Sequence, residues 1–106
     1  MFKVMFFLYR RDGMDTDEFQ RYSREVHMPL VRRVPGLRRY VVNHALANPA
    51  GAATPADAVA ELSFDSQEAF GAAIASPQGQ AALADQGNYV DPARTHFLVV
   101  EELAGV

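Results

Sequence analysis

Apolar side chains follow two different rhythms along this chain, and the places where the rhythm changes divide it into elements. Residues 2–9, Phe-Lys-Val-Met-Phe-Phe-Leu-Tyr, are rich in aromatic and branched residues and close at Asp12-Gly13, which predicts a first strand. From Asp15 onward Phe19, Tyr22, Val26, Leu30 and Val34 recur at helical spacing. Asp15 and Glu18 stand as a capping box at the start of this helix, and Pro35-Gly36 stops it. Pro29 interrupts it. Proline removes an intrahelical hydrogen bond and crowds the preceding turn, so a kink or break is expected just before it, where His27 lies.

Residues 37–46 predict a second strand and residues 57–64 a third, separated by an aperiodic loop of Ala, Asn, Pro, Gly and Thr over 47–56. Asp65 and Glu68 repeat the capping pattern ahead of a second helix that carries Phe70 and Ile74. Ser76-Pro77 restarts that helix, because serine caps well and proline is tolerated at a first helical position, and the continuation runs to about Gly87. Residues 95–102 form the last strand. The order β, α, β, β, α, β over residues 1–106 predicts a single α+β domain of ferredoxin-like form, with a four-stranded antiparallel sheet and both helices on one face.

Such a sheet normally alternates apolar and polar residues, since one face meets water. Here the first strand sets Phe2, Val4, Phe6 and Leu8 against Met5, Phe7 and Tyr9, and the last sets Leu98 and Val100 against Phe97 and Val99. Both faces therefore read as apolar. Exposure of each large side chain forgoes about 1.5–3 kcal/mol, and large bare apolar faces are rare on soluble monomers. With no third helix to cover the second face, the economical cover is the same sheet of a second copy under two-fold symmetry, a homodimer through the sheet face.

Composition narrows the function classes. The chain has 106 residues, 49% hydrophobic and 22% charged, which is ordinary for one folded domain. It contains no cysteine, which excludes disulfides, thiolate nucleophiles and sulfur-ligated zinc, and it is compatible with a cytoplasmic location. The apolar run at the start is too short for a signal peptide or a membrane span. Net charge is −3, yet all basic residues except Arg94 lie in the first forty positions. They are not interleaved with aromatics in the manner of a nucleic-acid surface, so a solvated, ion-paired face is expected and no nucleic-acid partner. Glycine-rich phosphate loops, dinucleotide fingerprints and the serine-hydrolase elbow are all missing.

The run Lys3 to Leu8, then Arg11-Asp-Gly-Met-Asp-Thr-Asp-Glu-Phe19, Tyr22, His27-Met-Pro-Leu-Val31, Pro35-Gly-Leu-Arg-Arg-Tyr40 and Asn43, resembles the EthD family. Ala60-Glu-Leu-Ser-Phe64, Ser76-Pro-Gln-Gly79 and Asp85 are similar to that family's second half. The resemblance implies a dimeric α+β barrel with a ligand cleft between sheet and helices, and kinship with cofactor-free isomerases, cyclases and monooxygenases. It also implies an association with bacterial ether degradation beside an oxygenase. It singles out His27, from the motif H-x-P, and Tyr40, from P-G-L-R-R-Y, and it matches Asp85 to a family acid near the end of the second helix.

Spacing independently brings His27 and Tyr40 level. Eight residues of helix from His27 to its end span about 12 Å, and the four residues of strand from Gly36 to Tyr40 span about 13 Å. An imidazole that exchanges protons near neutrality beside a phenol that hydrogen-bonds a developing enolate suits chemistry next to a carbonyl. His27 and Tyr40 are therefore the candidate catalytic pair. His44, four residues on along the same strand face, Phe70, Asp85 and Tyr89 are the candidate substrate-binding groups, with Ile74 as further wall. Asp85 either orients a histidine or faces solvent, and His96 belongs to a rim or interface. The three histidines have no metal-ligand spacing, so no metal is expected, and no cofactor is assigned. Haem handling is conceivable only through the wider barrel superfamily. Two function classes stay open: a cofactor-independent isomerase, cyclase or oxygenase type of enzyme acting on a small carbonyl or aromatic compound, and a non-catalytic dimer that holds a hydrophobic ligand for an oxygenase.

Overall fold

The computed structural model describes all residues, 1–106. The elements are β1 (Phe2–Leu8), α1 (Thr16–Tyr22), a π-helical segment (Ser23–His27), α2 (Met28–Val31), β2 (Arg39–His44), β3 (Ala58–Phe64), α3 (Gln67–Ala75), α4 (Pro77–Gln86) and β4 (His96–Val100). The strands lie in the order β2-β3-β1-β4, every neighbouring pair antiparallel, which is the ferredoxin-like α+β arrangement. The expected strands are each present, trimmed by a residue or two at their ends. No helix is long and apolar enough to cross a membrane.

Local chemistry accounts for the helix starts. The Asp15 carboxylate accepts a 2.8 Å hydrogen bond from the Glu18 backbone N–H. Ser66, and not Asp65, caps α3, by accepting from Ala69 N–H at 3.1 Å. Asp65 is drawn away by Arg38, which grips it with two guanidinium hydrogen bonds. Ser76 serves both helices of the second pair. Its hydroxyl donates to the Ala73 carbonyl at 2.6 Å and accepts from Gly79 N–H at 3.0 Å, with Pro77 in the first turn.

The break before Pro29 is a π-helical turn. Met28 N–H reaches Ser23 C=O, one residue further than an α-helix would take it. This moves the buried stripe. An uninterrupted α-helix would have turned Val26 and Leu30 inward. Here Phe19, Ser23, His27 and Val31 are the buried residues and Val26 is 40% exposed. Side chains four apart drift by about 40° per step on an α-helix, and the wider π turn takes up that drift. Two polar residues, Ser23 and His27, thereby enter the interior.

Inward-facing Leu8, Ala58 and Ala60 join Phe19, Tyr89 and Val90 in one core cluster, while Phe64 joins Val31, Val34, Ala73 and Ala82 in a second. Tyr40 and Leu62 pack against both. The outer face departs from the expectation of an apolar surface. Met5, Phe7, Val41, Val59, Leu98 and Val100 do lie there by strand register. Among them Lys3 is buried, held by Glu61 at 2.7 Å and Glu102 at 2.9 Å, with Asn43 donating to Glu61. The helices do not reach β4, so Phe97 and Val99 stay about half exposed even on the helix side.

The junction of α3 and α4 is tight. A Cβ at Gly79 would sit 2.0 Å from the Ala73 carbonyl oxygen, so Gly79→Ala is expected to lower unfolding free energy by about 1–3 kcal/mol. Ser76→Ala, which removes a cap, should cost about 1 kcal/mol. Urea unfolding of both variants checks the order of the two effects.

Candidate functional site

Between the two core clusters runs a narrow cavity of about 50 Å³, walled by fifteen residues of which twelve are hydrophobic. Strand alternation delivers Tyr40 and Val42 to it from β2, the π turn delivers Ser23 and His27, and α4 with the turn after it supplies Ala82, Leu83, Gln86 and Tyr89. His27 and Tyr40, one from each layer, therefore line the same space.

Behind His27 stands Asp85. Its carboxylate lies 2.9 Å from Nδ1 of His27, accepts the Tyr22 hydroxyl at 2.5 Å and accepts the Asn88 side-chain amide at 3.0 Å. Burial alone would raise the pKa of Asp85, but the hydrogen bonds from Tyr22, Asn88 and His27 outweigh it and hold the acid ionised. Burial pushes the His27 imidazole below its ordinary value, against the upward pull of Asp85, so the ring is neutral at pH 7. An ionised carboxylate at Nδ1 requires the proton there. The lone pair is then on Nε2, which has no hydrogen-bond partner in the chain, on a ring that borders the cavity. This is a carboxylate-oriented imidazole base.

Tyr40 is half-buried, and burial lifts its phenol to about 12, with the Arg32 charge opposing. It stays protonated across the neutral range and is a hydrogen-bond donor. Tyr89, fully buried, is also pushed up by burial and by nearby Tyr40, Asp85 and Tyr22. Its ring packs 4.8 Å from that of His27 and stacks on Phe19 and Tyr22, fixing the imidazole plane from one side.

Asp85 and His44 do not line the cavity themselves. Asp85 acts on it through His27. His44 points into the helix layer as its strand parity requires, and its Nε2 lies 2.9 Å from the hydroxyl of Ser23, which does line the cavity. Phe70 stands apart from the site: it packs on Phe2 at 5.4 Å and Phe64 at 5.3 Å in the second cluster. Ile74 is part of the wall. His96 stacks on Phe7 on the outer face. The sequence reading had Tyr22 only in the helical stripe and the family resemblance, and it missed Ser23 and Asn88. Ser23 and His27, four residues apart, share a face on any helix, but which face turns inward is decided by the π turn. No three His, Asp or Glu side chains converge as a metal ion would require.

The EthD domain model matches residues 11–93. This chain belongs to the EthD family. A relative from Rhodococcus erythropolis, an uncharacterised 11.0 kDa protein of the thcB–thcC intergenic region, is 33% identical over 88 residues, 83% of this chain and 84% of that one. The crystal structure of an ethyl tert-butyl ether D (EthD) family protein from Bacillus halodurans superimposes with a TM-score of 0.81 at 24% identity, covering 97% of this chain and 100% of that one. A dimeric ferredoxin-like protein of unknown function from Thermobifida fusca has a TM-score of 0.72 at 19% identity, over 93% of this chain and 88% of that one. His27 and Tyr40, one from the helix layer and one from the sheet, thus line one cavity, and Asp85 is hydrogen-bonded to the histidine.

Two measurements follow from the buried pair. Because the folded pKa of His27 lies below the unfolded value of 6.5, the unfolded chain binds more protons below that pH. Stability is full above about pH 6.5 and falls as pH drops through the folded pKa, and His27→Gln is expected to flatten that slope. Asp85→Asn removes the upward pull, so the His27 imidazole should titrate at still lower pH in ¹H–¹⁵N NMR, with a stability loss of about 1–3 kcal/mol.

Proposed function

We propose that this EthD protein is a proton-transfer enzyme of the isomerase or cyclase type, acting on a small apolar or aromatic carbonyl compound in the cavity between sheet and helices. The observation that carries this reading is the Asp85–His27 hydrogen bond, which commits the imidazole proton to Nδ1 and leaves Nε2 as a base on the wall of an apolar cavity that the Tyr40 phenol also lines. His27 Nε2 removes a proton from the carbon beside the carbonyl. The electron pair moves into the carbonyl to give an enolate, whose oxygen takes a hydrogen bond from Tyr40. Asp85 stabilises the imidazolium that results. Twelve hydrophobic lining residues and no cationic one suit a neutral, flat ligand, and a ligand larger than the resting 50 Å³ enters by displacing the side chains at Leu83, Gln86 and Ile74.

The working unit in this reading is a homodimer, made by two-fold packing of the outer sheet faces. Support comes from Leu98, 52% exposed beside half-buried Met5 and Phe7 on that face, and from the dimeric fold relative from Thermobifida fusca.

Exchange of the α-hydrogens of cyclopentanone and 2-indanone in D₂O, followed by ¹H NMR, tests the chemistry. Wild type is expected to exceed the buffer rate, and His27→Ala to lose about 10²–10⁴ of that excess. Tyr40→Phe should lose about tenfold or more. Ligand binding that survives His27→Gln with no exchange by the wild type would instead support the accessory, ligand-holding role. Sedimentation tests the assembly: wild type should run as a dimer and Leu98→Glu as a folded monomer.

A further inference from the structure

His27 is buried. The residue is 6% exposed, Nδ1 is committed to Asp85, and Tyr89 covers one side. A base so held meets the ligand through Nε2 alone, so a proton gained at a second atom of the ligand needs a second donor. The only other titratable group joined to the cavity's inner wall by a hydrogen bond through a lining side chain is His44. Ser23 is a residue of the cavity wall and 1% exposed, and its hydroxyl lies 2.9 Å from His44 Nε2. His44, near the end of β2, is only half-buried and so keeps contact with solvent. Ser23 and His27 sit four residues apart across the π turn, which is what places the hydroxyl and the imidazole side by side on the inner stripe.

We propose that Ser23 and His44 form a second proton-transfer arm of this site, connecting the cavity to bulk water, so that a proton removed by His27 at one atom is replaced at another by one that comes from solvent. The proposal rests on the proton-transfer reading above. The step balances as follows. The carbon–hydrogen bond breaks and its proton goes to His27 Nε2. The enolate then takes the Ser23 hydroxyl proton at a second atom of the ligand. Ser23 is refilled by the Nε2 proton of a neutral His44, which takes a proton from water at Nδ1 in the same transfer and leaves a hydroxide in solvent; burial and the Arg24 charge both favour that neutral ring. After product leaves, His27 returns its proton to water through the vacated cavity, which neutralises that hydroxide, and the His44 ring returns to the tautomer with its proton on Nε2. Ser23 is the group that touches the ligand, and His44 acts through it. This arrangement fits substrates that shift a hydrogen between two carbons of a conjugated carbonyl compound, or that close a ring with proton loss at one end and gain at the other.

The variants Ser23→Ala and His44→Gln separate a relay from a structural hydrogen bond, because glutamine still hydrogen-bonds the serine hydroxyl but cannot give a proton at one atom while taking one at another. With cyclopentanone and 2-indanone in D₂O, both variants are expected to lose at least tenfold in deuterium incorporation with an unchanged His27 titration by ¹H–¹⁵N NMR, and His44→Gln, which does not line the cavity, with unchanged ligand affinity. Incorporation within twofold of wild type in both variants, while His27→Ala still abolishes it, would overturn the second arm and leave the His27 base standing. No incorporation by wild type above buffer would overturn both. If Ser23→Ala fails to fold, incorporation by His44→Gln decides alone.

Discussion

A carboxylate placed inside a protein must be met by donors, and Asp85, 8% exposed, is met by three at once: the Tyr22 hydroxyl, the His27 imidazole and the Asn88 amide. These come from α1, the π turn and the segment after α4. The acid thus ties the helices of the two βαβ halves together at one point. Removing any donor leaves a buried charge short of a partner, and for that reason the orientation of His27 is not free to relax. Positioning of the base and cohesion of the helix layer are one interaction.

The π turn makes that interaction possible. A regular helix would have turned Val26 toward the sheet and His27 toward its rim. The wider turn ahead of Pro29 trades an apolar residue for a polar pair, Ser23 and His27, on the inner stripe. The interior then divides into two apolar clusters with a seam between them, and the seam is the cavity. Proline's missing donor and the site's chemistry are connected through a few degrees of helical rotation.

The outer sheet face poses a different balance. Its apolar residues favour covering by another surface, yet Lys3, Glu61, Asn43 and Glu102 form a compact polar group among them. Fully paired, such a group can be buried at modest cost, and it restricts the ways in which a second sheet can be laid over the first. Phe97 and Val99, which face the helix side of β4 where no helix arrives, extend the uncovered apolar surface around the sheet edge.

The element order, the αβ arrangement and the family were legible from the sequence, because apolar period, caps and turn residues are local properties. So were Asp15 and Ser76 as caps, and the break ahead of Pro29. His27 and Tyr40 could be named from motifs and brought level by simple lengths. What the chain alone did not disclose was set by packing. Ser66 displaced Asp65 as a cap because Arg38, distant in sequence, claims the acid. Phe70 went to the Phe2–Phe64 contact and away from the cavity. The direction of His27, the tautomer that Asp85 imposes and the meeting of Ser23 with His44 depend on how far a helix turns over one proline-disturbed stretch and on side chains 21 and 58 residues away. Pattern and propensity report the face a residue favours on an ideal element, whereas a hydrogen bond across layers needs two elements placed to within a fraction of an ångström, and only the folded interior supplies that.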